Sequence, residues 1–162
     1  MIETNTRDRG VSISVTHVLT LGITTILIAM LLMSTSTLLE TERTRNTEAS
    51  LETIGEQIAH DISVVDQSID NSSTITVVTD QPRQAGGERY TVTMLNKSKC
   101  QQAPLLSDSS DCLHLTASGT DAEAYVPIKT DTPIKNESSA PGGRIVLSYT
   151  TDTEEIRIEG ED

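Results

Sequence analysis

The hydrophobic positions follow three successive patterns, and each predicts a different element. From Val11 to Leu39 the chain reads VSISVTHVLTLGITTILIAMLLMSTSTLL, without one Asp, Glu, Lys or Arg. A helix of roughly 20 mainly apolar residues crosses a bilayer core, so residues 11–39 are predicted to form a transmembrane helix. A core helix of a soluble domain keeps a polar face, and this run has no charge on any face. A secretory signal peptide is the competing reading, with an apolar region of about 7–15 residues closed by a small-residue cleavage site. The run here is longer, and no Ala-x-Ala pattern closes it.

Beyond the span the pattern acquires a helical period. Leu51, Ile54, Ile58, Ile62, Val65 and Ile69 are separated by 3, 4, 4, 3 and 4 residues, the stripe of an amphipathic helix. Glu52, Glu56, Gln57, His60, Asp61, Asp66 and Gln67 fall on its wet face. No proline occurs between Met1 and Gln81, and Gly55 is the one glycine between Gly22 and Gly86. The span is therefore expected to continue as one helix through residues 40–70, with Ser34 to Thr37 as the place where it could kink. Asp70-Asn71-Ser72-Ser73 is expected to end it.

After Asn71 the period drops to two. Ile75–Val78, Tyr90–Leu95, Leu113–Ala117, Tyr125–Ile128, Ile145–Tyr149 and Ile156–Ile158 alternate or run apolar for strand lengths. Turn signals separate them at Gln81-Pro82 to Gly86-Gly87, at Ala140 to Gly143 and at Thr151 to Glu154. The last two strands read as a hairpin, and Pro127 assigns its strand to an edge or a bulge. The fold class is α+β: a long N-terminal helix, membrane-spanning in its first half and amphipathic in its second, packed on a small antiparallel β-sheet domain over residues 71–162. With Tyr90, Tyr125 and Tyr149 as the whole aromatic complement, a core shared with the helix is expected rather than a free-standing globule.

The formal net charge is −12. Glu3 and Asp8 cancel Arg7 and Arg9, and residues 11–39 carry no charge, so the whole excess falls on residues 40–162. An acidic domain of this kind disfavours nucleic acid and anionic membrane surfaces as partners, and no nucleic acid is expected; its few lysines beside 24 acids fit a high-salt environment. Two arginines flank the span on each side, Arg7 and Arg9 against Arg43 and Arg45. The first pair lies closer to the hydrocarbon and is joined by the terminal amine. This places the N-terminus inside and the C-terminal domain outside the cytoplasmic membrane.

An outer location makes Cys100 and Cys112 a disulfide candidate, stabilising by about 3 kcal/mol in the chain-entropy account. A metal site is the alternative, with only His114 nearby as a further ligand. Asn71, Asn96 and Asn136 each begin an Asn-x-Ser sequon in a loop and are candidates for N-glycosylation. Thr16, Thr20 and Thr24 share one face of the membrane helix. They can serve helix–helix packing or bond back to their own carbonyls. His17, His60 and His114 are scattered, Asp61, Asp66 and Asp70 read as solvated, and no hydrolase, metalloprotease or phosphate-loop pattern occurs. No catalytic residue, cofactor, metal or small-molecule substrate is expected.

Arg7-Asp8-Arg9-Gly10-Val11-Ser12, followed at once by the apolar helix, resembles the leader and helix start of archaeal type IV pilin-like proteins, and more closely a set of haloarchaeal pilin-related membrane proteins. The resemblance is strongest over residues 7 to about 70. It implies that residues 1–10 are a cytoplasmic leader held by Arg7 and Arg9. A prepilin peptidase-like enzyme would remove it at Gly10–Val11, and the freed helix would pack with other pilin-like subunits in a surface filament. Many pilins carry Glu at the fifth mature position, where this chain has Val15; haloarchaeal relatives often lack it too. The function expected is that of a structural pilin-like subunit, major or minor. The alternative is an uncleaved single-span anchor whose ectodomain binds a partner or assists export without polymerising.

Overall fold

A computed structural model describes residues 7–69, 73–101, 103 and 110–161. The chain divides into two units, residues 1–42 and 43–162, and helix α1, Arg7–Ser68, contributes to both. In the first unit the large apolar side chains from Val15 to Leu39 are all exposed. The backbone remains helical through residues 34–37, where the sequence allows a kink. Serine and threonine weaken a helix only slightly, and without proline or glycine there the hydrogen-bond ladder continues.

The second unit is the domain. Among the described residues eight strands follow α1: β1 Thr74–Asp80, β2 Gln84–Ala85, β3 Glu88–Leu95, β4 Asp111–Ala117, β5 Glu123–Ile128, β6 Ser139–Pro141, β7 Arg144–Thr150 and β8 Glu155–Gly160, with a single-turn helix α2, Lys97–Cys100, between β3 and β4. One sheet has the order β1-β7-β8. The other runs β2-β3-β4-β5, with β6 also paired to β3, and every strand pairing is antiparallel. β7 and β8 form the expected hairpin. Pro127 lies on β5, an edge strand, where its missing N–H leaves no gap in an interior ladder.

The amphipathic stripe of α1 is the centre of this unit. Leu51, Ile58, Ile62 and Val65 are fully buried and Ile54 nearly so, in one cluster with the inward residues of both sheets, among them Leu115, Val126, Leu147 and Ile158. Burying each such side chain contributes about 1.5–3 kcal/mol, against a net stability of about 5–15 kcal/mol for a typical domain. The helix comes closest to the sheet at Gly55. A Cβ built there would lie 2.6 Å from Val126 Cγ2 and 2.9 Å from Leu115 Cδ1. Glycine thus weakens the helix locally but lets the backbone rest on β4 and β5. Upstream, the buried Thr47 meets the β2–β3 turn. Gly86 and Gly87 hold φ of +59° and +91° there, as a two-residue hairpin turn with both central residues left-handed requires. A Cβ on Gly86 would come within 2.9 Å of Thr47 Cα.

The two sheets are joined by the segment 133–141. On one side Ile156 N donates to Pro133 O at 2.9 Å and Lys135 N to Ile156 O at 2.7 Å; on the other Glu137 N donates to Met94 O at 2.8 Å and Met94 N to Ser138 O at 2.9 Å. β2 and β6 are absent from the sequence reading. They occupy stretches of turn-forming residues that are extended because β3 pairs with them, not through their own propensity.

Asp66 corrects the sequence reading more sharply. Read as part of the solvated face, it instead receives Asp131 N at 3.1 Å and Thr132 N at 3.0 Å, tying the end of α1 to the start of the joining segment. Partial burial opposes its ionisation, but hydrogen bonds from the Thr132, Asp131 and Thr130 groups outweigh that and hold its pKa below the usual 3.8.

Two outcomes follow from this packing. Gly55→Ala adds about 1 kcal/mol of helix propensity but overpacks the contact with Val126 and Leu115, an effect of about 1–3 kcal/mol. Thermal unfolding of residues 43–162 should therefore show a net loss, and a higher melting temperature would contradict the close approach. Asp66→Asn should destabilise by about 1–2 kcal/mol at neutral pH, since an amide cannot accept both N–H groups as a carboxylate does. Because the folded pKa is depressed, the advantage of the acid is present above the unfolded carboxylate pKa and disappears as pH falls through the folded value. Denaturant melts of both proteins across that range check this. A gap that stays constant with pH would contradict the charged cap.

Candidate functional site

The residues singled out for processing lie at the head of α1. The backbone of Arg7, Arg9, Gly10 and Val11 is helical, so the Gly10–Val11 peptide lies within the helix. Gly10 weakens the helix at that point by about 1 kcal/mol relative to alanine.

Along the next turns the threonine hydroxyls are used inside the helix. Thr20 Oγ1 donates to Thr16 O at 2.8 Å, Thr24 Oγ1 to Thr20 O at 2.7 Å and Thr25 Oγ1 to Leu21 O at 2.7 Å. Of the two readings open in the sequence, the back-bonded one describes these hydroxyls. In an apolar medium each donor needs a partner, and the carbonyl one turn earlier is the nearest. On the Thr16/Thr20/Thr24 face the Thr20 and Thr24 hydroxyls are thus each bonded one turn back along their own helix. A different face carries a notch that the sequence reading missed. Gly22, with nothing within 4 Å of a built Cβ, is flanked by Val15, Val18, Leu19, Ile23 and Ile26. The signal was present as a glycine within an i, i+3, i+4, i+7 apolar set.

Among the described residues α1 is the one helix long and apolar enough to cross a membrane, and none of its apolar window is buried.

In the domain, Cys100 at the end of α2 and Cys112 on β4 form a buried disulfide, with Cα atoms 6.0 Å apart. This removes both sulfurs from the metal alternative. Strand register, which is not visible along the chain, brings a carboxylate to one of the three scattered histidines. The register that sets His114 opposite Tyr125 brings Glu123 Oε2 to 3.0 Å from His114 Nε2, and the imidazole stacks on the Tyr125 ring at 4.3 Å. Burial, then the neighbouring Glu123 charge and its hydrogen bond, push the Tyr125 hydroxyl pKa upward. Two donors make a surface polar pair rather than a metal centre, and no group of three or more His, Cys, Asp or Glu side chains among the described residues could hold an ion. A shallow open cleft beside Asp66 is lined by Asp66, Lys97, Asp111, Ile128, Lys129 and Asp131. Its charges have both signs and it has a single apolar wall.

Asn96 and Asn136 lie side by side, Asn96 N donating to Asn136 Oδ1 at 3.2 Å. The Asn71 sequon and the expected helix end at 70–72 lie outside the described residues.

No curated protein and no solved structure matches the chain. Residues 6–161, covering the apolar helix, its amphipathic continuation and nearly all of the β-domain, match a single family pattern, and the chain belongs to that family, the family of unknown function DUF7266.

Proposed function

We propose that the protein is a pilin-like structural subunit, held in the cytoplasmic membrane by the first half of α1 with its β-domain outside, and able to join like subunits in a cell-surface filament or related assembly. The observation that carries this reading is the division of labour along α1. Residues 51–65 supply the domain core, whereas from Val15 to Leu39 every described large apolar side chain is exposed. An uncharged helix surface of that extent requires lipid or other apolar helices around it. The Arg7–Ser12 leader motif adds a processing step that converts a lipid-held helix into one free to bundle. On this reading the partners are the membrane, a prepilin peptidase-like enzyme and other pilin-like subunits, and no catalysis is assigned to any residue.

A second reading is favoured by the threonines. Hydroxyls already bonded to their own helix are compatible with plain lipid and need no neighbouring helix, as in a single-span anchor whose ectodomain binds a partner or assists export.

Processing separates the two readings. In a host that possesses the peptidase, the purified membrane protein should begin at Val11, with the mass of residues 1–10 missing, and Gly10→Leu should remain full length. Intact-mass spectrometry of both proteins checks this. A wild-type chain that retains Met1 or Ile2 would contradict the pilin-like reading and leave the anchored ectodomain.

A further inference from the structure

Two of the three sequons are neighbours in space, yet they are built differently. At the first, Asn96-Lys97-Ser98, the asparagine precedes the single turn α2 outside any strand, and Lys97 and Ser98 are exposed. Ser98 Oγ donates to Asn96 Oδ1 at 2.7 Å, so the hydroxyl and the amide that define the sequon are already held together, the serine exposed and the asparagine half-buried. The Asn96 Nδ2 makes no hydrogen bond among the described residues.

At the second, Asn136-Glu137-Ser138, the amide oxygen and the serine hydroxyl are engaged elsewhere in the fold, while Asn136 Nδ2, like Asn96 Nδ2, makes no hydrogen bond among the described residues. Asn136 Oδ1 receives Asn96 N. Ser138 Oγ donates to Lys135 O at 2.9 Å and receives Ile158 N at 3.4 Å. The intervening Glu137 holds φ of +63° and pairs with Lys99, while Glu137 N and Ser138 O are both bonded to Met94 on β3. Offering this sequon to an enzyme would detach the segment that joins the two sheets.

We propose that Asn96 is an N-glycosylation site of the folded domain and that Asn136 is not, because Ser98 is exposed and free of the rest of the fold whereas Ser138 is engaged between β3 and β8 and Asn136 Oδ1 holds the Asn96 N–H. The donor is a glycan linked to a polyprenyl phosphate. Asn96 Nδ2 attacks the anomeric carbon, an Nδ2–C1 bond forms, the C1–O bond to the phosphate breaks, and the lipid phosphate departs as an Nδ2 proton is lost. No electron transfer is involved. The glycan would stand beside the Cys100–Cys112 loop, adding bulk and solubility to that end of the domain. Discrimination between the sequons requires that modification follow folding, since an unfolded chain offers both alike.

The proposal rests on the outward placement of the domain in the reading above, and the experiment separates the two. The full chain is expressed with Asn71→Gln, in a host that attaches N-glycans outside its membrane, and intact cells are treated with external protease. Glycopeptide and intact-mass analysis should show one glycan, on Asn96. The mass increment should be lost in Asn96→Gln and in Ser98→Ala, an exposed change that leaves the asparagine and the fold in place. A glycan on Asn136, on both sites equally, or on neither in a chain whose domain is cut from outside would overturn the proposal while leaving the topology standing. A domain protected from external protease would overturn the topology, and this inference with it.

Discussion

Burial of one helix face is the interaction on which the rest of the domain depends. The sequence has no Phe or Trp, and of its three tyrosines Tyr90 and Tyr149 are buried in the core while Tyr125 is half-buried, so the core is otherwise aliphatic. Two small sheets of aliphatic strands need a third surface to exclude water from their inner faces, and residues 51–65 of α1 supply it. The same dependence explains Gly55. A glycine that weakens an isolated helix is tolerable where the stability of the helix comes from packing, and it sets the distance at which β4 and β5 can settle on the backbone.

A second layer of constraint holds the sheets to each other. The segment 133–141 bonds to β8 along one part and β3 along the next, and Asp66 fixes its approach to the end of α1. The disulfide closes the β3–β4 connection nearby. These contacts concentrate the polar order of the domain at one end, where both structured sequons also lie. A modification there is therefore decided by which hydroxyls the fold has already used.

Much of this organisation was legible in the residues. The Leu51–Ile69 stripe, the switch to a period of two and the terminal hairpin are repeated patterns in which each position reinforces the next. Pro127 announced an edge. What escaped notice depends on partners distant in sequence: Asp66 on residues 131 and 132, Glu123 beside His114 through strand register, and the short strands β2 and β6, extended only because β3 lies next to them. In the apolar half of α1 the composition left two uses for the threonine hydroxyls, and the bonds made by Thr20, Thr24 and Thr25 became visible only with atomic positions. The pilin-like reading draws on the leader motif and on an exposed apolar helix.

The claim that one face of α1 forms the heart of the domain is tested most directly at Ile62. Thermal and denaturant unfolding of residues 43–162 should show Ile62→Asp destabilised by about 3–5 kcal/mol, enough to unfold a marginal domain, because a carboxylate would be buried without a partner. Gln57→Asp, on the exposed face of the same helix, should change stability by less than about 0.5 kcal/mol. Equal effects at the two positions would contradict the account, because the stripe would then not be the surface on which the sheets are built.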